Sequence, residues 1–154
     1  MTERIEFFVP GEPVEKGSTR AFYIRKLDRV VTTNANKRTK GWQSRIAMKC
    51  EEIVCQRAFR EEGYIGYKLD MTFYKSRAKS LSKWKHLAIT RPDLDKYIRT
   101  ILDAVAGIAF ADDNAVTDIA ARKRHCDENY LADHRGMPGV YVIIEKVREK
   151  REKV

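Results

Sequence analysis

An α+β fold, in which a mostly antiparallel mixed sheet is packed by two main helices, is predicted by three features of this chain. Two segments carry apolar residues at helical spacing, and six short segments read as strands. The two kinds mix without a regular strand–helix–strand rhythm. The length of 154 residues suits one domain with one core, residues 1–154.

Ile5 to Val9 predicts the first strand, and Gly11 to Ser18, punctuated by Gly11, Pro13 and Gly17, predicts a loop. Ala21–Ile24 and Arg29–Thr33 predict a hairpin around Lys26-Leu27-Asp28. Trp42, Ile46, Cys50, Ile53 and Val54 form one apolar stripe, which predicts a helix from Thr39 to Glu62 with Gly63 as its stop. From Tyr67 to Tyr74, the residues Leu69, Met71 and Phe73 alternate as on one face of a strand. Ser76 to Thr90 is polar, with Arg77, Lys79, Lys83 and Lys85 around Trp84, and predicts a surface loop or arm. A second helix is predicted from Asp93 to Ile108, where Leu94, Tyr97, Ile98, Ile101, Leu102, Val105 and Ile108 share a face. Ala111 to Asn114 turns into a strand from Ala115 to Arg122. A last strand runs from Val140 to Val147, with Tyr141, Ile143 and Lys146 breaking strict alternation. The charged tail from Arg148 to Val154 is expected to fray.

Lys and Arg total 31 against 22 Asp and Glu, a net charge of +9. A nucleic-acid backbone is the partner this suggests; an ordinary basic surface is the alternative. No apolar run reaches the roughly 18 residues of a membrane span. The start, Met1-Thr2-Glu3-Arg4, lacks the pattern of a secretory signal, so a cytoplasmic location is expected. Cys50, Cys55 and Cys126 form no C-x-x-C pair, and their odd number argues for free thiols. A zinc site built from Cys126 with His86, His125 and His134 lacks tight ligand spacing.

The informative segment is Arg91-Pro92-Asp93-Leu94-Asp95-Lys96-Tyr97-Ile98-Arg99. Asp93 falls at the start of the second helix, and Asp95, Arg99 and Asp103 follow four apart on its polar flank. Two readings stand side by side. In the structural one, Asp93 caps the helix, acids in the first turn gain about 0.3–1 kcal/mol from the dipole, and Asp95, Arg99 and Asp103 form a charge ladder. In the chemical one, the carboxylates hold one or two Mg²⁺ ions. These would activate water and stabilise the charge that phosphodiester cleavage places on the attacking, phosphoryl and leaving oxygens. Arg99 or Lys96 would add further charge stabilisation. Asp112-Asp113 offers more carboxylates, but a helix of about fifteen residues is roughly 22 Å long. Asp113 reaches Asp93 and Asp95 only if the next strand runs back beside them or the helix is shorter. An EF-hand is excluded because Tyr97 and Ile98 occupy the third-ligand and glycine positions.

Pro92-Asp93-Leu94-Asp95-Lys96, then Leu102-Asp103-Ala104, Gly107 and Asp112-Asp113-Asn114-Ala115-Val116, resembles the RusA family of Holliday-junction resolvases, whose pattern is P-D-x-D-N, L-D-A-L-N-G and D-D-x-x-V. The loop from Gly11 to Arg20 and Arg122-Lys123 also fit. The resemblance implies a small homodimeric α+β enzyme of bacteria or their prophages that nicks four-way DNA junctions with Mg²⁺, Mn²⁺ being the alternative ion. It implies no small-molecule cofactor. It makes Asp93, Asp95 and Asp113 the metal ligands, with Asp112 and Asp103 in supporting or structural parts. Two positions depart from the pattern: Lys96 replaces an Asn, and Arg99 stands where the family has its catalytic Lys. Arg keeps the charge but does not give up a proton near neutral pH.

For phosphate contacts the first candidates are Lys16, Arg20 and Arg91, and the second are Lys83 and Lys85; an ordinary solvated charge is the alternative for each. Trp84 either stacks on an unpaired base or packs the arm onto the domain. Two symmetric cuts at a junction suit a two-fold dimer. The competing functions are a metal nuclease acting on flaps, forks or RNA, and a non-catalytic nucleic-acid-binding protein whose acids are caps and ion pairs.

Overall fold

The computed structural model describes residues 3–17, 19–34, 36–60, 63 and 65–149, and for Thr19, Arg20, Thr33 and Asn34 the backbone alone. Its elements are β1 (Arg4–Pro10), β2 (Thr19–Ile24), β3 (Arg29–Asn34), α1 (Thr39–Arg57), β4 (Gly66–Lys75), α2 (Leu94–Val105), β5 (Val116–His125) and β6 (Gly139–Val147). The main sheet has the order β1-β6-β4-β5. The β1/β6 and β6/β4 pairs are antiparallel, and β4/β5 is parallel. The expectation of an α+β fold with a mostly antiparallel mixed sheet therefore holds, and the parallel pair is the crossover β4–α2–β5, whose position the element pattern did not announce. A parallel pair needs a connection of a dozen residues or more, and the segment between Lys75 and Val116 supplies it with α2 inside. β2 and β3 form the expected hairpin as a separate two-stranded sheet.

The core lies on one face of the main sheet. Leu69, Met71 and Phe73 of β4 meet Val142 and Ile144 of β6, and Ile46 and Cys50 of α1 with Ile101 and Val105 of α2 close over them. All three cysteines are free thiols, as expected; burial pushes the Cys50 thiol up to about 12. Among the described residues no helix is long and apolar enough to cross a membrane. The last residues of the charged tail, 150–154, lie outside the described residues.

Two helix ends and the alternation of β6 differ from expectation. α1 ends at Arg57, not at Glu62, a residue outside those described. Ala58 takes a left-handed conformation (φ 46°), its N–H donating back to Cys55 and Val54, and Phe59 then turns into the core. Burying Phe59 outweighs another helical turn. Phe59→Ala is expected to lower stability by about 3–5 kcal/mol, read as a shifted urea midpoint. α2 ends at Val105 rather than Ile108, because Gly107 (φ +84°) reverses the chain and donates to the Phe110 carbonyl at 2.7 Å, sending Ala109 and Phe110 into the core. β6 alternates strictly after all: Val140, Val142, Ile144 and Lys146 are buried, with Tyr141, Ile143 and Glu145 on the other face. Lys146 fits inside by laying its ammonium 4.8 Å from the Phe59 ring centre.

Candidate active site

α2 starts where β4 and β5 finish. Lys75 ends β4 at an inward-facing position, and Lys123 lies two residues before the end of β5 on the same face of the sheet. Both ammonium groups grip the segment that enters α2. Lys75 Nζ donates to the Thr90 hydroxyl at 2.8 Å and the Arg91 carbonyl at 2.6 Å. Lys123 Nζ donates to the Thr90 carbonyl at 2.7 Å and the Pro92 carbonyl at 2.8 Å. Three successive carbonyls ahead of Asp93 are thus held by two cations from neighbouring strands. Burial, and then the charge of Lys123, hold the Lys75 ammonium below the usual lysine range. The sequence reading missed both lysines as site residues. The signal was present: Lys75 continues the inward alternation of Leu69, Met71 and Phe73, where an apolar residue is expected.

Asp93 occupies the N-cap position of α2 with extended backbone, yet its side chain makes no capping hydrogen bond. Asp95 sits in the first turn, and both carboxylates are exposed. Among the described residues no ion pair joins Asp95 to Arg99 or Arg99 to Asp103. The cap and the charge ladder, which would have explained these acids structurally, are therefore not made. Asp103 pairs instead with Lys16, whose Nζ lies 2.7 Å from Oδ2.

Asp113 lies toward the far end of the helix. α2 has 12 residues and is thus ~18 Å long. Because β5 runs parallel to β4, its start faces the C-terminal end of α2 while Lys123, near its finish, touches Pro92. Asp113 opens the 3-10 turn Asp113–Ala115 just before β5. Its electrostatic neighbours are Asp112, Asp103 and Arg99. Asp112 caps this turn by accepting from the Asn114 N–H at 3.1 Å. That bond holds Asp112 below the usual carboxylate range, whereas sharing a proton with Asp112 raises Asp113. Asp112→Asn is expected to lower the Asp113 titration toward the ordinary carboxylate value, measured by NMR of the carboxyl carbon. Among the described residues no three His, Cys, Asp or Glu side chains stand close enough to hold a metal ion. The strand does not return Asp113 beside Asp93 and Asp95, so one chain offers the acids as two separate groups.

The cationic candidates divide similarly. Arg91 is exposed beside Asp93, and Lys96 and Arg99 lie along α2. Lys83 and Lys85 are exposed on the arm. Lys16 is committed to Asp103, and the Arg20 side chain lies outside the described residues. Compared with models of known families, the chain matches endodeoxyribonuclease RusA over residues 10–145. No curated protein matches it.

Proposed function

The chain belongs to the RusA family of endodeoxyribonucleases, which resolve Holliday junctions, and on that premise we propose that it is a Mg²⁺-dependent enzyme that cuts four-way DNA junctions by paired nicks as a homodimer. The observation that carries this reading is the pair Asp93 and Asp95: exposed, uncapped, and on a segment clamped from below by two ammonium groups. Carboxylates spent on folding are found in caps and ion pairs; these are left for something else.

The pair suits Mg²⁺, which takes one or two carboxylates and completes its shell with waters and phosphate oxygens. When bound, the ion supplies water activation and neutralises phosphoryl charge. Among the described residues of one chain the three acids do not gather into one group, Asp113 lying instead beside Asp103 and Arg99. Within the proposed homodimer, Asp113 of the second copy is the candidate that completes the pair. Arg91, Lys96 and Arg99 provide the positive field that brings a phosphate to these acids. Arg99 stands at the position of the family's catalytic Lys, and because it retains its proton its part is charge stabilisation. Arg99→Lys is expected to keep cleavage and Arg99→Met to lose it, measured as single-turnover rates.

The test is cleavage of a labelled synthetic four-way junction against a linear duplex of matched sequence, with Mg²⁺ and with chelator. Paired nicks on the junction alone, dependent on the ion, support the proposal. Equal cutting of flaps, forks or RNA would shift the substrate. Binding without cleavage in any divalent ion would leave a DNA-binding protein.

A further inference from the structure

Residues 76–92 contain five cations, Arg77, Lys79, Lys83, Lys85 and Arg91, and no acid. Such a segment belongs on the surface, but its largest apolar side chains point outward as well. Trp84 is 72% exposed, Leu87 74% and Ile89 83%. Trp84 therefore does not pack the arm onto the domain. Ala88, between Leu87 and Ile89, is the buried anchor. The three exposed side chains line an open groove of about 570 Å³.

The arm is held in shape from beneath. The Arg77 side chain is only 13% exposed. Its Nε and Nη2 donate to Asp127 at 3.1 and 2.9 Å. Its Nη1 donates to the carbonyls of Ser82 at 3.2 Å and Lys85 at 2.6 Å. Two turns add Leu81 N–H to the Ala78 carbonyl at 2.9 Å and Lys85 N–H to the Ser82 carbonyl at 3.0 Å. One arginine thus spans the arm and ties it to the turn after β5. The arm's end is the clamped segment Thr90–Pro92, which leads directly into Asp93.

We propose that this arm is a base-stacking wedge: Trp84, with Leu87 and Ile89 beside it, takes the face of an unpaired base at the branch point of the DNA. This deepens the nuclease reading and rests on it. The occupant follows from charge. A second copy docking arm to arm would set two acid-free basic segments against each other. An unpaired nucleotide offers an apolar face for the indole and a phosphate for Lys83 and Lys85. Lys85 already lies 5.5 Å from the Trp84 ring centre, so cation and aromatic form one surface. Arg77 is a positioning residue that fixes where the stack forms relative to Asp93.

The chain has two tryptophans, and Trp42 is buried. A Trp42→Phe protein therefore reports on Trp84 alone. Titrating it, in chelator, with four-way junctions carrying 2-aminopurine either at the branch point or mid-arm tests the wedge. Quenching of Trp84 emission by the branch-point probe only is expected. Trp84→Ala should weaken junction binding by roughly 5- to 100-fold and leave linear-duplex binding unchanged, with Trp84→Phe restoring most of it. Junction binding by Trp84→Ala equal to wild type, with no probe-dependent quenching, overturns the wedge while leaving the nuclease reading in place. A change in oligomeric mass in Trp84→Ala also overturns it, in favour of a protein interface. Failure of the wild-type chain to bind any DNA overturns both.

Discussion

Asp93→Asn and Asp95→Asn are each expected to lose junction cleavage by about 10²- to 10⁴-fold while still binding the junction. A metal ion's charge stabilisation is worth several kcal/mol, and about 1.4 kcal/mol is a tenfold change in rate. Binding survives, or improves, because each change removes a negative charge from beside the phosphates. Among the described residues neither substitution removes a capping bond or an ion pair, so the melting temperature should stay close to wild type. Asp113→Asn should lose cleavage as well, and mixing variants then reveals the arrangement of the acids. If Asp113 serves the pair on the other copy, an Asp93→Asn/Asp113→Asn heterodimer keeps one complete site and nicks one strand. If each chain serves itself, both sites of that heterodimer are broken and the mixture stays inactive. A nicked but unresolved junction in the mixture, absent from either variant alone, is the outcome the separation along α2 calls for. Full activity of Asp93→Asn and Asp95→Asn would remove the pair from the chemistry.

Lys123→Met and Lys75→Met are expected to lower single-turnover cleavage by about 10- to 100-fold without touching the substrate. Each lysine holds carbonyls of the segment that carries Asp93, and a misplacement of about 1 Å can reduce rate by that order. Methionine keeps the aliphatic stem, so packing changes little, but it leaves carbonyls without their donor, at about 1–3 kcal/mol of stability if they stay buried. A positioning role raises the Mg²⁺ concentration needed for half-maximal cleavage and lowers kcat more than it raises KM. Lys123→Arg should recover part of the rate. A purely structural role predicts a lower melting temperature, with kcat and the Mg²⁺ dependence unchanged wherever the variant remains folded. That second pattern would make the clamp a fold element only.

Sequence by itself determined the local elements of this protein and the residue types of its chemistry. Periodicity is a local property, so the apolar stripe of α1, the alternation of β4 and the amphipathic face of α2 were legible within single segments. The Asp93, Asp95 and Asp112-Asp113 signature was legible for the same reason, as was the basic, acid-free stretch around Trp84. Helix ends were less so: Gly63 looked like a stop, but burial of Phe59 five residues after Val54 decided the turn, and burial is a property of the assembled core. Tertiary structure alone decided which acids meet. The parallel pairing of β4 with β5 sets Asp113 beside Asp103 and Arg99 rather than in one group with Asp93 and Asp95, and nothing in the spacing of those residues encodes strand direction. The same pairing brings Lys75 and Lys123, 48 positions apart in the chain, onto one segment ahead of Asp93. Long-range register places side chains that no local pattern connects, because hydrogen bonds between strands fix position across the sheet rather than along the chain.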